Sequence, residues 1–168
     1  AEEMRDAMLA ASGKLDLTLV GRGYRDVRAY AFKGSNFYDI IPQDKPEQFR
    51  RTIYRFSPRG ARRNLLDTFD CPDASALAPD RASTTTPLQS LAQMNNRFVL
   101  SQSAFFAERL KAEAGEDISA QLRLAHELTL SRPVTAREQV LAQSFVKAHG
   151  MAAYCRVLFN TNAFLYVR

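Results

Sequence analysis

Apolar residues recur at helical spacing throughout the C-terminal half of the chain. From about residue 87 onward they lie three or four positions apart, in stretches separated by glycines or by capping residues. Thr86, Pro87 and Gln89 combine an N-cap, a proline at the first helical position and the closing residue of a capping box. Thr135 and Glu138 form a second capping box. The pattern predicts five helices, which begin near residues 87, 97, 118, 136 and 151, and their short links favour an antiparallel bundle.

The N-terminal half has a weaker periodicity. Residues 2–12 are predicted to form an amphipathic helix that stops at Gly13. The alternating leucines of residues 15–20 predict a short strand, and residues 52–56 have strand propensity. Residues 25–45 show no clear period, so we expect a long ordered loop or short strands there. A loop of that length is unusual in a compact domain unless it is functional or packs against a neighbour.

These patterns predict a mainly α fold. We expect a small antiparallel helical bundle in the C-terminal half and an irregular region of loops and short strands in the N-terminal and middle parts. One domain is expected over residues 1–168, with the helix and loop region in 1–83 and the helical region in 84–168. The length of 168 residues, with 46% hydrophobic and 24% charged residues, is ordinary for one globular domain. The chain begins without an initiator methionine, and we expect it to be the C-terminal piece of a longer multidomain chain. No apolar run approaches the roughly 18 residues of a membrane span, so no span is predicted.

Positive charge is concentrated in residues 45–65, the basic segment. This segment holds seven Lys and Arg residues against one acidic residue, whereas the whole chain has a net charge of +5. Aromatic residues are interleaved with these cations, as in surfaces that bind nucleic acid, sulfated polysaccharide or anionic lipid. The alternative is that the arginines pair with acidic groups inside the fold. The candidate binding residues are Arg50, Arg51, Tyr54, Arg55, Arg59, Arg62 and Arg63.

Motifs of well-known catalytic sites do not occur in the sequence. It has no nucleophile elbow, no Walker loop, no zinc-protease helix and no Cys-x-x-Cys pair. His126 and His149 lie on different predicted helices, and we expect His126 to be half-exposed. Cys71 and Cys155 are too few for a disulfide framework; buried thiols are the favoured interpretation, and a bridge between them stays open. No catalytic residue is assigned.

Three aspartates recur at every third position after the basic segment. Asp67, Asp70 and Asp73 could supply oxygen ligands to calcium or magnesium, but the glycine and the terminal glutamate of an EF-hand loop are missing. The alternative is that these carboxylates cap turns or pair with the preceding arginines. We predict no metal ligand.

Several motifs follow one another in a distinctive order. They are Arg50–Tyr54, Thr68–Asp73, Arg81 with Thr84–Leu91, Met94-Asn95, Ser131–Glu138 and Leu158–Tyr166. In this order they resemble the C-terminal domain of unknown function, of the PSD type, that large planctomycete and verrucomicrobial proteins carry, commonly beside cytochrome-c-like domains. Ala163 stands where that family is expected to have glutamate, and Arg97 where proline is frequent. The first departure weakens a catalytic role for the C-terminal motif.

The resemblance implies an exported multidomain protein, periplasmic or otherwise outside the cytoplasm, in bacteria that degrade complex polysaccharides. It implies no established reaction. No cofactor is expected in this chain; a haem in the longer protein would bind upstream, since Cys-x-x-Cys-His does not occur here. The implied partners are the upstream domains of the same protein.

Three functions therefore stay open. The favoured one is a non-catalytic structural or interaction module that packs on upstream domains, which would explain the long aperiodic middle region. The second is binding of an anionic polymer by the basic segment, with sulfated polysaccharide ahead of nucleic acid. The third is an uncharacterised enzyme linked to polysaccharide degradation. Its site would join six polar residues, which are Arg51, Tyr54, Asp70, Arg81, Gln89 and Asn95. The alternative for the motif residues is a polar network that fixes loops onto helices. That network would contain Asp70, Arg81, Thr86, Gln89, Asn95, Asn160 and Asn162.

Overall fold

The computed structural model describes residues 1–61, 64–81 and 84–166. The N-terminal elements are α1 (Glu2–Ala11), β1 (Val27–Phe32), β2 (Ser35–Ile40), the 3-10 turns Pro46–Gln48 and Thr52–Tyr54, and α2 (Asn64–Thr68). The C-terminal elements are α3 (Pro87–Asn95), α4 (Arg97–Ala114), α5 (Ile118–Leu130), α6 (Ala136–His149), α7 (Met151–Phe159) and α8 (Asn162–Leu165). With these helices and one small antiparallel sheet, the predicted mainly α class is confirmed. Across the described ranges, no helix has both the length and the apolar character that crossing a membrane requires.

Local capping signals set the ends of the C-terminal helices. The Thr86 hydroxyl accepts the backbone N–H of Gln89, and Thr135 does the same for Glu138, so both predicted capping boxes are confirmed. Asp117 caps α5 in the same way. The five predicted helices begin where the sequence pattern places them, and α8 is a further single turn that the pattern does not predict.

Helix α4 forms the centre of the hydrophobic core. It packs against α5 and α7, and its Phe106 ring stacks on Phe159 of α7 with 5.7 Å between the ring centroids. Met8 and Leu9 of α1 are fully buried in the same cluster of side chains. Burial of each such side chain contributes about 2 kcal/mol to stability. The N-terminal and C-terminal halves of the chain therefore share one core.

Two strand predictions in the N-terminal half are wrong. Leu17 and Leu19 are exposed in a loop. No strand forms there, because the carbonyls of Thr18 and Val20 accept hydrogen bonds from the Arg50 guanidinium and not from a neighbouring strand of the described chain. Residues 52–54 form a 3-10 turn instead of a strand. The reason is that the Asp6 carboxylate accepts both the backbone N–H and the hydroxyl of Thr52, at 2.8 and 2.6 Å. These two hydrogen bonds direct the chain into the turn.

Residues 25–45 contain a β-hairpin, which agrees with the alternative of short strands. Strands β1 and β2 pair in antiparallel register, with Phe32 opposite Ser35. The two residues between them, Lys33 and Gly34, have φ values of +48° and +78°. Positive φ at both positions is typical of the tight turn that matches the twist of two paired strands, and glycine adopts it without strain.

His126 is buried inside the bundle, so its predicted half-exposure is wrong. Its Nε2 lies 2.8 Å from the Tyr154 hydroxyl, because the face of α5 that carries His126 packs against α7. Burial lowers the pKa of His126 below its usual value and raises the pKa of Tyr154 to about 12. Cys155 is fully buried, as expected, while Cys71 is half-buried and the two are not bonded to each other.

Candidate functional site

Arg50, the first candidate residue of the basic segment, is internal. Only 8% of the residue is exposed, and its guanidinium donates to the backbone carbonyls of Thr18 and Val20 at 2.7 Å and of Arg22 at 2.5 Å. The guanidinium carbon also lies 3.9 Å from the centre of the Tyr54 ring. Arg50 therefore fixes the loop that supplies these carbonyls, and its donors are not available to an external polymer.

Tyr54 and Arg55 are used internally as well. The Tyr54 hydroxyl accepts the backbone N–H of Val20 at 2.9 Å. The Arg55 side chain is 4% exposed, and its Nε lies 2.7 Å from the equally buried carboxylate of Asp26. Removing either partner of such a buried pair leaves an uncompensated charge, so the pair holds the two segments together.

Arg51 and Arg59 carry the exposed charge of the candidate set within the described chain. Half of the Arg51 side chain is exposed, and its Nε lies 3.9 Å from the Asp6 carboxylate. Arg59 is exposed in the turn that follows. Arg62 and Arg63 lie outside the described residues. Two of the four described arginines of this set are therefore internal, and they do not form one continuous basic face with the others.

A groove of about 580 Å³ opens beside the basic segment, and we call it the arginine groove. It is lined by Arg22, Gly23, Arg25, Ile53, Tyr54, Arg55 and Phe56. The Arg25 guanidinium lies 4.4 Å from the centre of the Phe56 ring. Glycine is required at position 23, because a Cβ atom there would collide with the backbone carbonyl oxygen of Tyr54. Two backbone segments thus meet closely at the base of the groove.

The Asp70 motif joins the end of α2 to the start of α3. The Asp70 carboxylate accepts the backbone N–H of Thr84 at 2.7 Å and the Thr84 hydroxyl at 2.8 Å. That hydroxyl in turn accepts the side-chain amide of Gln89 at 3.2 Å, and Gln89 closes the capping box with Thr86. Asp70 has a φ of +59°, a conformation that aspartate tolerates better than most residues. These residues hold the loop before α3 against its first turn.

A small cleft of about 210 Å³ lies beside this network. Asp70, Arg81 and Gln89 line it together with Glu2 and Tyr166. The Arg81 guanidinium lies 3.2 Å from both oxygens of the Glu2 carboxylate. Burial alone raises the pKa of Glu2, but its own backbone N–H and the Arg81 guanidinium bring that pKa below its usual value. Each charged side chain of the cleft is thus already engaged by another group, whereas a general acid or base must be able to reach a substrate proton.

The other residues of the predicted enzyme site lie elsewhere. Tyr54 lines the arginine groove, and Arg51 lies beside Asp6 on α1. The Asn95 side-chain amide donates to the carbonyl of Leu91 within α3, at 3.0 Å. The structure therefore brings three of the six predicted residues together in the cleft and places the other three apart from them.

Asn160 and Asn162 lie near the C-terminal end of the bundle. Asn160 follows α7 and is half-buried, and no donor in the described chain reaches its buried Oδ1. Asn162 is exposed and lines a cavity of about 680 Å³ together with Arg132. Arg132 makes two hydrogen bonds to Glu138, at 2.6 and 2.9 Å, and this contact holds the pKa of Glu138 well below its usual range. Within ranges 1–61, 64–81 and 84–166, no three His, Cys, Asp or Glu side chains form a group that could hold a metal ion.

Sequence reasoning missed the role of Arg5. Its guanidinium is buried and donates to the backbone carbonyls of Gln48 and Arg50, at 2.6 and 3.1 Å. The sequence did contain a signal, because Arg5 lies at helical spacing from Met8 and Leu9, which are buried on the same stripe of α1. A cation on a buried stripe indicates partners inside the fold.

Comparison with known proteins identifies a family but no described activity. A model of a family of proteins of unknown function, PSD1 (DUF1553), matches residues 1–146. Neither the curated proteins nor the solved structures include a significant match to the chain. Because the family match covers more than half of the 168 residues, the chain belongs to PSD1, a family of proteins of unknown function.

Proposed function

We propose that this chain is a non-catalytic interaction module that docks against other domains of a larger protein. The observation that carries the proposal is the β-hairpin, whose two faces are largely exposed within the described part of the chain. Of its 12 strand residues, Val27 is the one that is buried. An isolated two-stranded hairpin has marginal stability in water, so a hairpin that extends from its domain in this way gains most from a partner.

The exposed side chains of the hairpin form an aromatic surface. Tyr30 and Phe37 lie opposite each other and stack, with ring centroids 5.7 Å apart, and Phe32 meets Phe37 edge to face at 6.1 Å. These three rings are 44–55% exposed. Clustered exposed aromatic side chains are typical of protein interfaces, where they supply large contact area. The hairpin therefore offers a preformed docking surface.

The polar motif residues support a structural role. Asp70, Thr84 and Gln89 bond to one another and fix a loop, and Arg81 is engaged by Glu2. The alternative of an enzyme has less support, because half of its expected residues lie outside the cleft. The alternative of an anionic-polymer module has less support as well, because the internal arginines of the basic segment already donate to protein groups.

The family resemblance adds the expected setting to the proposal. In this expected setting, the parent protein is exported and carries cytochrome-c-like domains, and its upstream domains are the partners of the hairpin. Any haem would belong to those domains, because the sequence described here has no Cys-x-x-Cys-His motif.

Site-specific photo-crosslinking in the full-length parent protein tests the proposal. A benzoylphenylalanine in place of Phe37 is expected to crosslink to a peptide of the same polypeptide outside residues 1–168. The same label in place of Arg137, an exposed residue of α6, is the control and is expected to give no such product. If the Phe37 label crosslinks only within residues 1–168, or to a second copy of the chain, the proposal of docking between domains is wrong.

A further inference from the structure

The loop of residues 17–23 presents large apolar side chains to solvent. Leu17, Leu19 and Val20 are 67–78% exposed. Val20 has a φ of +57°, which is strained for a β-branched residue. Strain of this kind persists where the surrounding structure enforces it, and it concentrates at functional surfaces.

Buried groups hold this loop in one conformation. Arg50 donates to three of its carbonyl groups, and the Tyr54 hydroxyl accepts the backbone N–H of Val20. Val20 is thus fixed at both its N–H and its carbonyl, which enforces the strained φ. A loop that is fixed in this way loses little conformational entropy when a partner binds to its apolar side chains.

The arginine groove lies next to the loop and combines apolar and cationic groups. Ile53 is 78% exposed at its wall, and Phe56 lies beneath the Arg25 guanidinium. Arg22 and Arg25 are exposed, and in the part of the chain that the structure describes no carboxylate forms an ion pair with either of them. The groove therefore has unneutralised positive charge beside an apolar wall.

We infer that the loop and the arginine groove together bind an extended peptide segment of a partner protein in which carboxylates alternate with large apolar side chains. The carboxylates would meet Arg22 and Arg25, while the apolar side chains would cover Ile53 and the loop leucines. A sulfated polysaccharide could satisfy the arginines but would leave the apolar side chains in water, so charge and apolar surface together favour a peptide. The groove shares no residue with β1 or β2, so this binding does not depend on the docking of the hairpin.

Synthetic peptides test this inference directly on the purified chain. The probe is a labelled peptide of about six residues, which spans about 20 Å when extended and alternates glutamate with leucine. Two matched peptides replace its glutamates by glutamine or its leucines by serine, and a heparin oligosaccharide serves as the polymer probe. Fluorescence anisotropy at low and at high salt is expected to show saturable, salt-sensitive binding of the first peptide and at least about tenfold weaker binding of the other probes.

Variants of the chain locate the binding site. Arg22→Glu is expected to weaken binding of the acidic, apolar peptide about tenfold, and Ile53→Ser severalfold, with the circular dichroism spectrum unchanged. Arg137→Glu changes the net charge equally on a distant exposed face of α6 and is expected to leave binding unaltered. The inference is overturned if the peptide does not bind at about 1 mM, if heparin binds more tightly than the peptide, or if Arg22→Glu and Arg137→Glu have equal effects.

Discussion

Replacement of Arg5 by methionine is expected to remove much of the stability of the folded chain. The Arg5 guanidinium donates to the backbone carbonyls of Gln48 and Arg50, and it lies 5.0 and 5.1 Å from the ring centres of Tyr24 and Phe98. Burial lowers the pKa of Arg5 below its usual value, and Tyr24 and the carboxylates of Asp6 and Asp26 only partly offset this effect. Methionine fills similar space but donates no hydrogen bond.

The magnitude follows from the groups that the substitution leaves behind. Two buried carbonyls, those of Gln48 and Arg50, would lose a charged donor at 2.6 and 3.1 Å, and each unsatisfied buried group costs about 1–3 kcal/mol. Loss of the contacts with the two aromatic rings adds about 1 kcal/mol. We therefore expect Arg5→Met to reduce the free energy of unfolding by about 3–7 kcal/mol, out of the roughly 5–15 kcal/mol of a typical domain.

Urea unfolding followed by circular dichroism measures this change. Arg28→Met is the matched control, because the Arg28 side chain is 73% exposed and makes a single ion pair with Asp39 at 3.4 Å. Exposed pairs of this kind contribute less than about 1 kcal/mol. Equal losses of stability in Arg5→Met and Arg28→Met would refute the argument that Arg5 joins α1 to the loops through buried hydrogen bonds.

Three further predictions concern other parts of the fold. Because burial lowers the pKa of His126, the unfolded chain binds a proton that the folded chain does not once the pH falls below about 6.5. The urea concentration at the unfolding midpoint should therefore decrease as the pH is lowered from 7 to 5, and His126→Gln should flatten this dependence. An equally steep pH dependence in the variant would contradict the prediction. Thr84→Val removes the hydroxyl that donates to Asp70 and accepts from Gln89 but keeps the backbone N–H that donates to Asp70. It should lower the free energy of unfolding by about 0.5–1.5 kcal/mol in the same assay, whereas an unchanged midpoint would mean that water replaces the hydroxyl. Gly23→Ala places a methyl group against the Tyr54 carbonyl oxygen and should cost more than about 2 kcal/mol, which a thermal melt that matches the unmodified protein would disprove.

The C-terminal helices could be predicted because their signals are local. A capping box such as Thr135 with Glu138 needs only four consecutive residues, and the structure forms it as the sequence indicates. The 52–54 turn could not be predicted, because the carboxylate that directs it belongs to Asp6 on another element. His126 was misjudged for the same reason, since its burial depends on how α5 packs against α7.

The candidate site shows the same division between local and distant information. The sequence shows that basic and aromatic residues are concentrated in the basic segment, but charge counts do not show which way a side chain points. Arg50 is internal because a loop some 30 positions earlier in the chain supplies its carbonyl partners. The arginine groove likewise combines residues from two separate stretches, so no single motif predicts it.

Buried arginines supplement the apolar core in the N-terminal half. Arg5, Arg50 and Arg55 are internal, and each reaches backbone carbonyls or a carboxylate on a segment distant in sequence. A planar guanidinium with five donors can join several irregular segments at once, which an apolar side chain cannot do. This arrangement explains how a region without helical or strand periodicity becomes ordered. Other apolar side chains of this half, such as Leu17 and Phe37, are on the surface, where they are available to a partner.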